Sequence, residues 1–393
     1  MLSRTLPLAC AAALSTTSAF ADEAETKPAA TLQIAYTADV SGAAGSGARH
    51  AGKYLDNLDI IGDADLERTI GWKGATGHIY VLNNSGGAPN DLAGTLQGVD
   101  NIEVATPRLR LFELWLDQSF ADGKASLRGG LYNLNSEFYA NEAAGRLLNP
   151  SFGIGSELAA TGPNGPSIFP STALGLRANL SIGDHGYVRA AVLNAHSGVL
   201  GDPKGVDLTF DDGVLTIAQV GLDGDAKIGV GAWRYSRKQD DIREVDLNGQ
   251  PIRVAADGAY LLAERPLFGD EGKAQGTAFL RVGVSDARTT PFRGGWQAGL
   301  HIVHPIASRP DSELAFGVQQ GLLSQRFRAN LRDTGVDPKT AESGVEFTYA
   351  DKLTSRVTLQ PDLQWVRLAD APRDADSRWI ATLRVRVELG SQP

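Results

Sequence analysis

The sequence predicts an all-β fold: a transmembrane antiparallel β-barrel of about 16 strands, with short periplasmic turns and long external loops. Three observations predict it. The chain begins like an export signal. No run of about 20 apolar residues follows, so a helical span is excluded. The rest of the chain alternates apolar and polar residues, most clearly from Arg378 to Leu389. There Trp379, Ala381, Leu383, Val385, Val387 and Leu389 share one face, and Arg378, Thr382, Arg384, Arg386 and Glu388 share the other. Strand side chains have a period of two, so one face is apolar and one is charged. A closed barrel reconciles export with alternation, because it pairs every backbone group without an apolar helix.

The export segment consists of Met1, Arg4, an apolar run from Leu6 to Leu14, and Ala19-Phe20-Ala21 before Asp22. One basic residue, a short apolar core and small-x-small fit a cleaved signal peptide over residues 1–21, leaving 22–393 as the barrel domain. The single cysteine, Cys10, lies inside that segment. Acylation there is disfavoured, since Pro7-Leu8-Ala9 matches a lipoprotein signal poorly. The mature chain then has no disulfide. Its net charge moves from -9 to -10 as Arg4 leaves, which argues against a nucleic-acid partner.

Strands are expected near 31–40, 49–61, 68–83, 102–119, 124–138, 171–181, 187–194, 213–222, 226–237, 257–267, 275–285, 294–304, 312–322, 343–351, 354–367 and 377–389. Ala121-Asp122-Gly123, Gly183-Asp184-His185-Gly186, Asp223-Gly224-Asp225 and Asp351-Lys352 carry tight-hairpin chemistry. The long links are 139–170, 195–212, 238–256 and 323–342. Alternation of link length places the short links in the periplasm and the long ones outside, with both termini periplasmic. In Arg108 to Phe120 the polar residues Arg110 and Glu113 are three apart, and a bulge near Phe112 lets both face the lumen. Trp296, Trp365 and Trp379 sit on apolar faces at external strand ends, where an aromatic girdle belongs.

Several stretches resemble the carbohydrate-selective porin (OprB-type) family. They are Asp65-Leu66-Glu67 with Gly71-Trp72-Lys73-Gly74; Arg108-Leu109 with Glu113-Leu114-Trp115 and Gln118-Ser119-Phe120; Leu148-Asn149-Pro150-Ser151-Phe152-Gly153; and Leu359-Gln360-Pro361-Asp362-Leu363-Gln364. Their order spans nearly the whole mature chain. The resemblance implies a 16-stranded barrel whose narrow pore passes sugars, constricted by loops folded inward. The link 139–170 is the candidate constriction. Such barrels usually end on an aromatic residue that serves the assembly machinery; here the end is Leu389-Gly390-Ser391-Gln392-Pro393, a departure that bears on assembly.

The function expected is therefore passive, selective diffusion of small carbohydrates into the periplasm, with outer-membrane lipid and the barrel assembly machinery as further partners. A monomer and a homotrimer both remain open. A sugar-selective pore needs side chains that bond hydroxyls and rings that meet C–H faces. Inward charged and amide candidates are Arg110, Glu113, Arg128, Arg177, Arg281, Glu346, Asp362, Gln364, Arg384 and Arg386. Inward aromatic candidates are Trp233, Tyr235 and Phe279. Charges that merely hydrate the wall, and rings that merely pack in it, are the bland reading of each. A pore for other small polar or anionic solutes, and a secreted glycan-binding β-sandwich, are the rivals. No cofactor is expected, and the histidines show no zinc spacing. Asp63-Ala-Asp65-Leu-Glu67 lacks the glycine and acidic spacing of a calcium loop and reads as a solvated turn. Catalysis is not expected either. In Asn194-Ala195-His196-Ser197 the adjacent His and Ser point to opposite faces of a strand.

Overall fold

The computed structural model describes residues 28–46, 48–269, 273–372 and 375–389. The export segment, Cys10 and the last four residues lie outside them. The strands are β1 Ala30–Ala44, β2 Gly52–Asp65, β3 Ala75–Gly86, β4 Leu109–Phe120, β5 Ala125–Tyr132, β6 Ala173–Ile182, β7 Gly186–Asn194, β8 Val214–Asp223, β9 Lys227–Tyr235, β10 Gln239–Val245, β11 Pro251–Val254, β12 Asp257–Phe268, β13 Gln275–Ser285, β14 Phe292–Val303, β15 Ser312–Leu323, β16 Ala341–Lys352, β17 Val357–Arg367 and β18 Ser377–Glu388. Sixteen of them form one closed antiparallel ring, and β10 and β11 form a separate hairpin. Closure is made by β1 on β18, with Ala35 opposite Glu388 and Ala44 opposite Trp379.

The period of two holds around the ring. In β17, Gln360, Asp362, Gln364 and Val366 are buried toward the lumen while Pro361, Leu363 and Arg367 are exposed outside. Leu176, Leu180, Val220, Val230, Leu261, Val282, Phe316, Phe347, Leu363 and Leu383 are exposed in the same way on neighbouring strands. A water-soluble protein does not present so wide an apolar band. In a bilayer it is the lipid face, which disposes of the β-sandwich rival. Trp365 and Trp379 stand opposite each other in register on that face. The Trp365 indole donates to Ser377 Oγ at 2.6 Å, and the Trp296 indole to Gln320 Oε1 at 3.3 Å. An apolar ring with a satisfied N–H suits the membrane boundary.

The bulge falls where the polarity placed it. Tyr80 opposes Glu113 and Val81 opposes Leu111, so Phe112 is the extra residue, and Arg110 and Glu113 both turn inward. Other expectations need correction. The strand expected over 68–83 begins only at Ala75, because Leu66–Ile70 is a short helix. Asp65 caps it, accepting from Glu67 N and Arg68 N at 3.0 and 3.1 Å, and Gly71 ends it at φ 79°. That cap accounts for the acidic Asp63–Glu67 turn. The strand expected over 102–119 begins at Leu109, and the one over 124–138 ends at Tyr132, where Asn133 caps a 3-10 turn. The long link 238–256 holds the β10–β11 hairpin, and 323–342 holds the helix Gln325–Asp333.

Leu363 lies on the outer face in the middle of β17. Leu363→Arg should lower folding stability in liposomes by about 2–4 kcal/mol if this face meets lipid near the bilayer midplane. An unchanged unfolding midpoint would show that the face is not lipid-exposed.

Candidate functional site

The link between β5 and β6 turns into the barrel and forms a plug. The wall is bare where the plug presses. A Cβ at Gly317 would lie 2.6 Å from Leu147, and one at Gly283 would overlap Tyr139 and Glu157. Leu134, Phe138, Tyr139, Ile154 and Leu158 of the plug pack on Leu193, Ile217, Trp233, Tyr235, Tyr260 and Leu262 of the wall. Further along, Ala143, Ala144, Leu147 and Phe152 pack on Phe279 and Ala315.

A loop inside a barrel brings backbone N–H and C=O groups that need partners. The lumen wall supplies them. Glu264 accepts from Glu142 N and Ala143 N at 3.0 and 2.5 Å. Glu346 accepts from Leu148 N and, at 3.0 Å, from Asn149 N. Gln219 accepts from Tyr139 N at 3.1 Å. Arg281 is 0% exposed and donates to the carbonyls of Tyr139, Gly153 and Ser151 at 3.0, 2.7 and 2.8 Å. The β3–β4 link folds in beside the plug. Its Leu96 N and Gln97 N donate to Glu342 at 2.9 Å, and Val99 O accepts from Gln364 at 2.8 Å.

All the residues singled out from the sequence face inward, but most serve this docking. Trp233, Tyr235 and Phe279 lie under the plug, so their rings meet plug side chains and not open lumen. Gln364 also accepts from Asn149 Nδ2 at 3.1 Å, and the buried Asp362 accepts from Gln364 at 3.0 Å. Arg110 donates to Asp202, Asn84 and the Thr106 carbonyl. Glu113 accepts from Trp115 Nε1 and Asn133 N. Arg128 and Arg177 share Asp117 and Glu137, and Arg128 lies 3.7 Å above the Trp115 ring.

Arg384 and Arg386 are the two that line a cavity on the lumen side. A cavity of about 350 Å³ is lined by Thr37, Asn57, Asp59, Tyr80, Asn101, Ile102, Gly145, Arg146, Phe169, Thr358, Gln360, Arg384 and Arg386. It lies between the strands β1–β3, β17 and β18 on one side and the two inward loops on the other. Arg384 is held by Asp39 at 2.7–3.1 Å, by Asn101 at 2.8 Å and by Asp100 at 3.3 Å. Burial, and then Asp39, push the Asp100 carboxyl well above its usual range, against the pull of Arg384. Arg386 is 40% exposed and meets carboxylates only at 3.6 Å (Asp59) and 3.7 Å (Glu388). Asp59 is occupied by Tyr80 at 2.6 Å and Asn57 at 2.5 Å. Inward parity could have found Asn57, Asp59 and Tyr80. Asn101, Ile102, Arg146 and Phe169 lie in links, where no periodicity points to them. A larger groove of about 530 Å³ is bordered by Trp233 and by the outward-facing Thr216, Ala218, Ala232, Arg234, Ala259 and Val284, so it lies on the outer wall and not along the lumen.

Elsewhere, Ser197 Oγ donates to Gly165 O and His196 Nδ1 faces Asp212, so these two side chains have separate partners. Among the described residues no group of three metal-ligating side chains converges, and no helix is long and apolar enough to cross a membrane.

A closed 16-stranded barrel with a lipid-facing band and a lumen narrowed by inward loops is a porin, a channel that sorts solutes by size and lining. Residues 49–389 match the carbohydrate-selective porin, OprB family, and the chain belongs to it. It is 21% identical to Porin B of Pseudomonas aeruginosa over 374 residues, which cover 85% of this chain and 82% of that one. It is 20% identical to the putative porin QuiX of Acinetobacter baylyi, covering 84% and 82%. Its fold matches the high-pH structure of Pseudomonas putida OprB with a TM-score of 0.81 at 18% identity, over 92% of this chain and 94% of that one. The protein is thus a multi-pass β-barrel of the bacterial outer membrane. It is a channel for small carbohydrates and not an enzyme.

Two outcomes follow for the plug. Glu346→Ala leaves two buried plug amides without their acceptor, at about 1–3 kcal/mol each. Single-channel recordings should show frequent openings to a larger conductance while the barrel stays folded; wild-type traces would remove Glu346 from the docking. Glu157 is buried against Tyr139, its hydroxyl donating at 2.7 Å. Burial holds this carboxyl above its ordinary range, against Tyr139 and Arg281, which lower it. A raised value favours the protonated form in the docked state. Docking is then strongest below the ordinary glutamate range and weakens as pH rises through the raised value. Large-conductance openings should become more frequent with rising pH in wild type, and Glu157→Gln should flatten that dependence.

Proposed function

We propose that the cavity beside Arg386 is the eyelet where a small sugar sheds water and touches protein. The observation that carries this is the looseness of Arg386 compared with the tightly held Arg384. A guanidinium offers five donors and stays charged, so one held by a single hydrogen bond to Thr37 Oγ1 at 3.3 Å and by carboxylates at 3.6 Å or more can exchange its contacts for sugar hydroxyls. Asn101 and Thr358 add polar groups, and the part-exposed rings of Tyr80 and Phe169 offer faces for the sugar's C–H groups. About 350 Å³ lies at the lower end of the range for small-molecule sites. Contacts of this strength let a solute enter and leave, as passive diffusion requires.

The second reading, a pore for small anionic solutes, is supported by three lining arginines against one lining carboxylate, Asp59. The sugar reading is favoured because Arg384 and Arg146 are closely matched by carboxylates. Residues 1–21 are removed on export, the barrel assembly machinery inserts the mature chain into outer-membrane lipid, and each barrel, as a monomer or within a homotrimer, carries its own pore.

Arg386→Ala should weaken block of single-channel current by glucose at least several-fold and leave barrel stability unchanged. Block equal to wild type would place the sugar contact elsewhere in the lumen.

A further inference from the structure

Resting on that reading of the eyelet, we propose that Glu313 and His301 hold the guanidinium of Arg146 out of the eyelet and thereby set its preference for neutral over anionic solutes. Arg146 belongs to the plug and borders the cavity, with its side chain 33% exposed. Its guanidinium does not end there. It reaches β15, where Nε donates to Glu313 Oε2 and one terminal nitrogen to Glu313 Oε1, both at 2.5 Å. His301 on β14 meets the same Glu313 Oε2 through Nε2 at 2.7 Å. The backbone is fixed as well, because Gln360 Nε2 donates to the Arg146 carbonyl at 2.7 Å. Neither Glu313 nor His301 lines the cavity.

The charges around the eyelet explain why this matters. Three arginines line it, and the one lining carboxylate, Asp59, is already engaged by Asn57 and Tyr80. Arg384 is matched from behind by Asp39. Among the described residues, Glu313 makes the only ion pair of Arg146. A two-point bond between guanidinium and carboxylate fixes orientation as well as charge. With Glu313 ionised, the cavity keeps one loosely held cation, Arg386, suited to hydroxyls. Without that charge, Arg146 adds a second cation to the wall, and small pores concentrate counter-ions of opposite sign. Glu313 and His301 are positioning residues; neither touches the solute.

Planar-bilayer recordings in a KCl gradient test this, with glucose and gluconate as a neutral and a carboxylated sugar. Glu313→Gln keeps the size but drops the charge and turns one of the two acceptor oxygens that Arg146 uses into a donor. The zero-current potential should shift toward the chloride equilibrium potential, and gluconate should gain permeability relative to glucose. Arg146→Gln should shift the potential the opposite way. The double variant should return to wild type, which a purely structural defect would not do. An unchanged potential in Glu313→Gln, or a double variant that behaves like Glu313→Gln, overturns the proposal. If Glu313→Gln fails to show the heat-modifiable mobility of a folded barrel, the Arg146→Gln recording decides alone, and a wild-type potential there overturns it. Loss of glucose block in Arg386→Ala with no selectivity change in Glu313→Gln sinks this inference and leaves the eyelet standing; intact block in Arg386→Ala sinks the eyelet itself.

Discussion

Hydrocarbon offers a backbone amide no partner, and the architecture answers that one constraint. Every strand N–H and C=O in the membrane must be paired within the protein. A sheet achieves this only by closing, and the β1–β18 ladder closes it. The side-chain period then becomes a division between lipid and water: Leu363 and Leu383 face out, while Asp362 and Arg384 face in. Closure with antiparallel neighbours also fixes which links share an end. The β5–β6 and β3–β4 links emerge together, and both turn back into the same lumen.

The same constraint reappears inside the lumen in weaker form. A plug that excludes water must satisfy its own amides, and the wall meets it with carboxylates. Glu264, Glu342 and Glu346 each take two loop N–H groups, and Arg281 takes three loop carbonyls. A carboxylate has lone pairs enough for two donors, so one wall residue can hold a whole turn of loop. Inward charges are therefore spent first on the protein's own backbone. Only those left over are available to a solute.

This ordering explains what could be read from the sequence. Sixteen strands were legible because period two is a local property and the lipid face enforces it everywhere. The bulge at Phe112 was legible because Arg110 and Glu113 break the period by one. The helix Leu66–Ile70 was missed because its cap, Asp65, sits at the end of a strand that also alternates. For the site, parity gave the side of the wall but not what covers it. Trp233 and Phe279 face inward, yet nothing local says that a loop some 75 or more residues away in sequence lies over them. The pairing of Arg384 with Asp39 depends on the register of the closing ladder, which neither strand encodes alone. Asn101 and Phe169 come from links, where no periodicity exists to betray them.

The eyelet then poses a problem of charge. An arginine-lined constriction in an acidic protein would be a poor filter for a neutral sugar if its charges were bare, because counter-ions would occupy it. Carboxylates stand one layer behind the lining: Asp39 behind Arg384, and Glu313 behind Arg146. Arg384 keeps the donor geometry of a guanidinium while most of its field is cancelled at short range, the guanidinium of Arg146 is drawn away to Glu313, and residual fields are screened within about 10 Å at ordinary salt. Arg386 is the exception, at 3.6 Å from its nearest carboxylate. A neutral, hydroxyl-rich solute gains from donors that are present but weakly committed. An anion gains most from charge that is uncompensated. On the proposed reading of the eyelet, what separates the two is decided less by the residues that touch the solute than by the carboxylates that stand behind them.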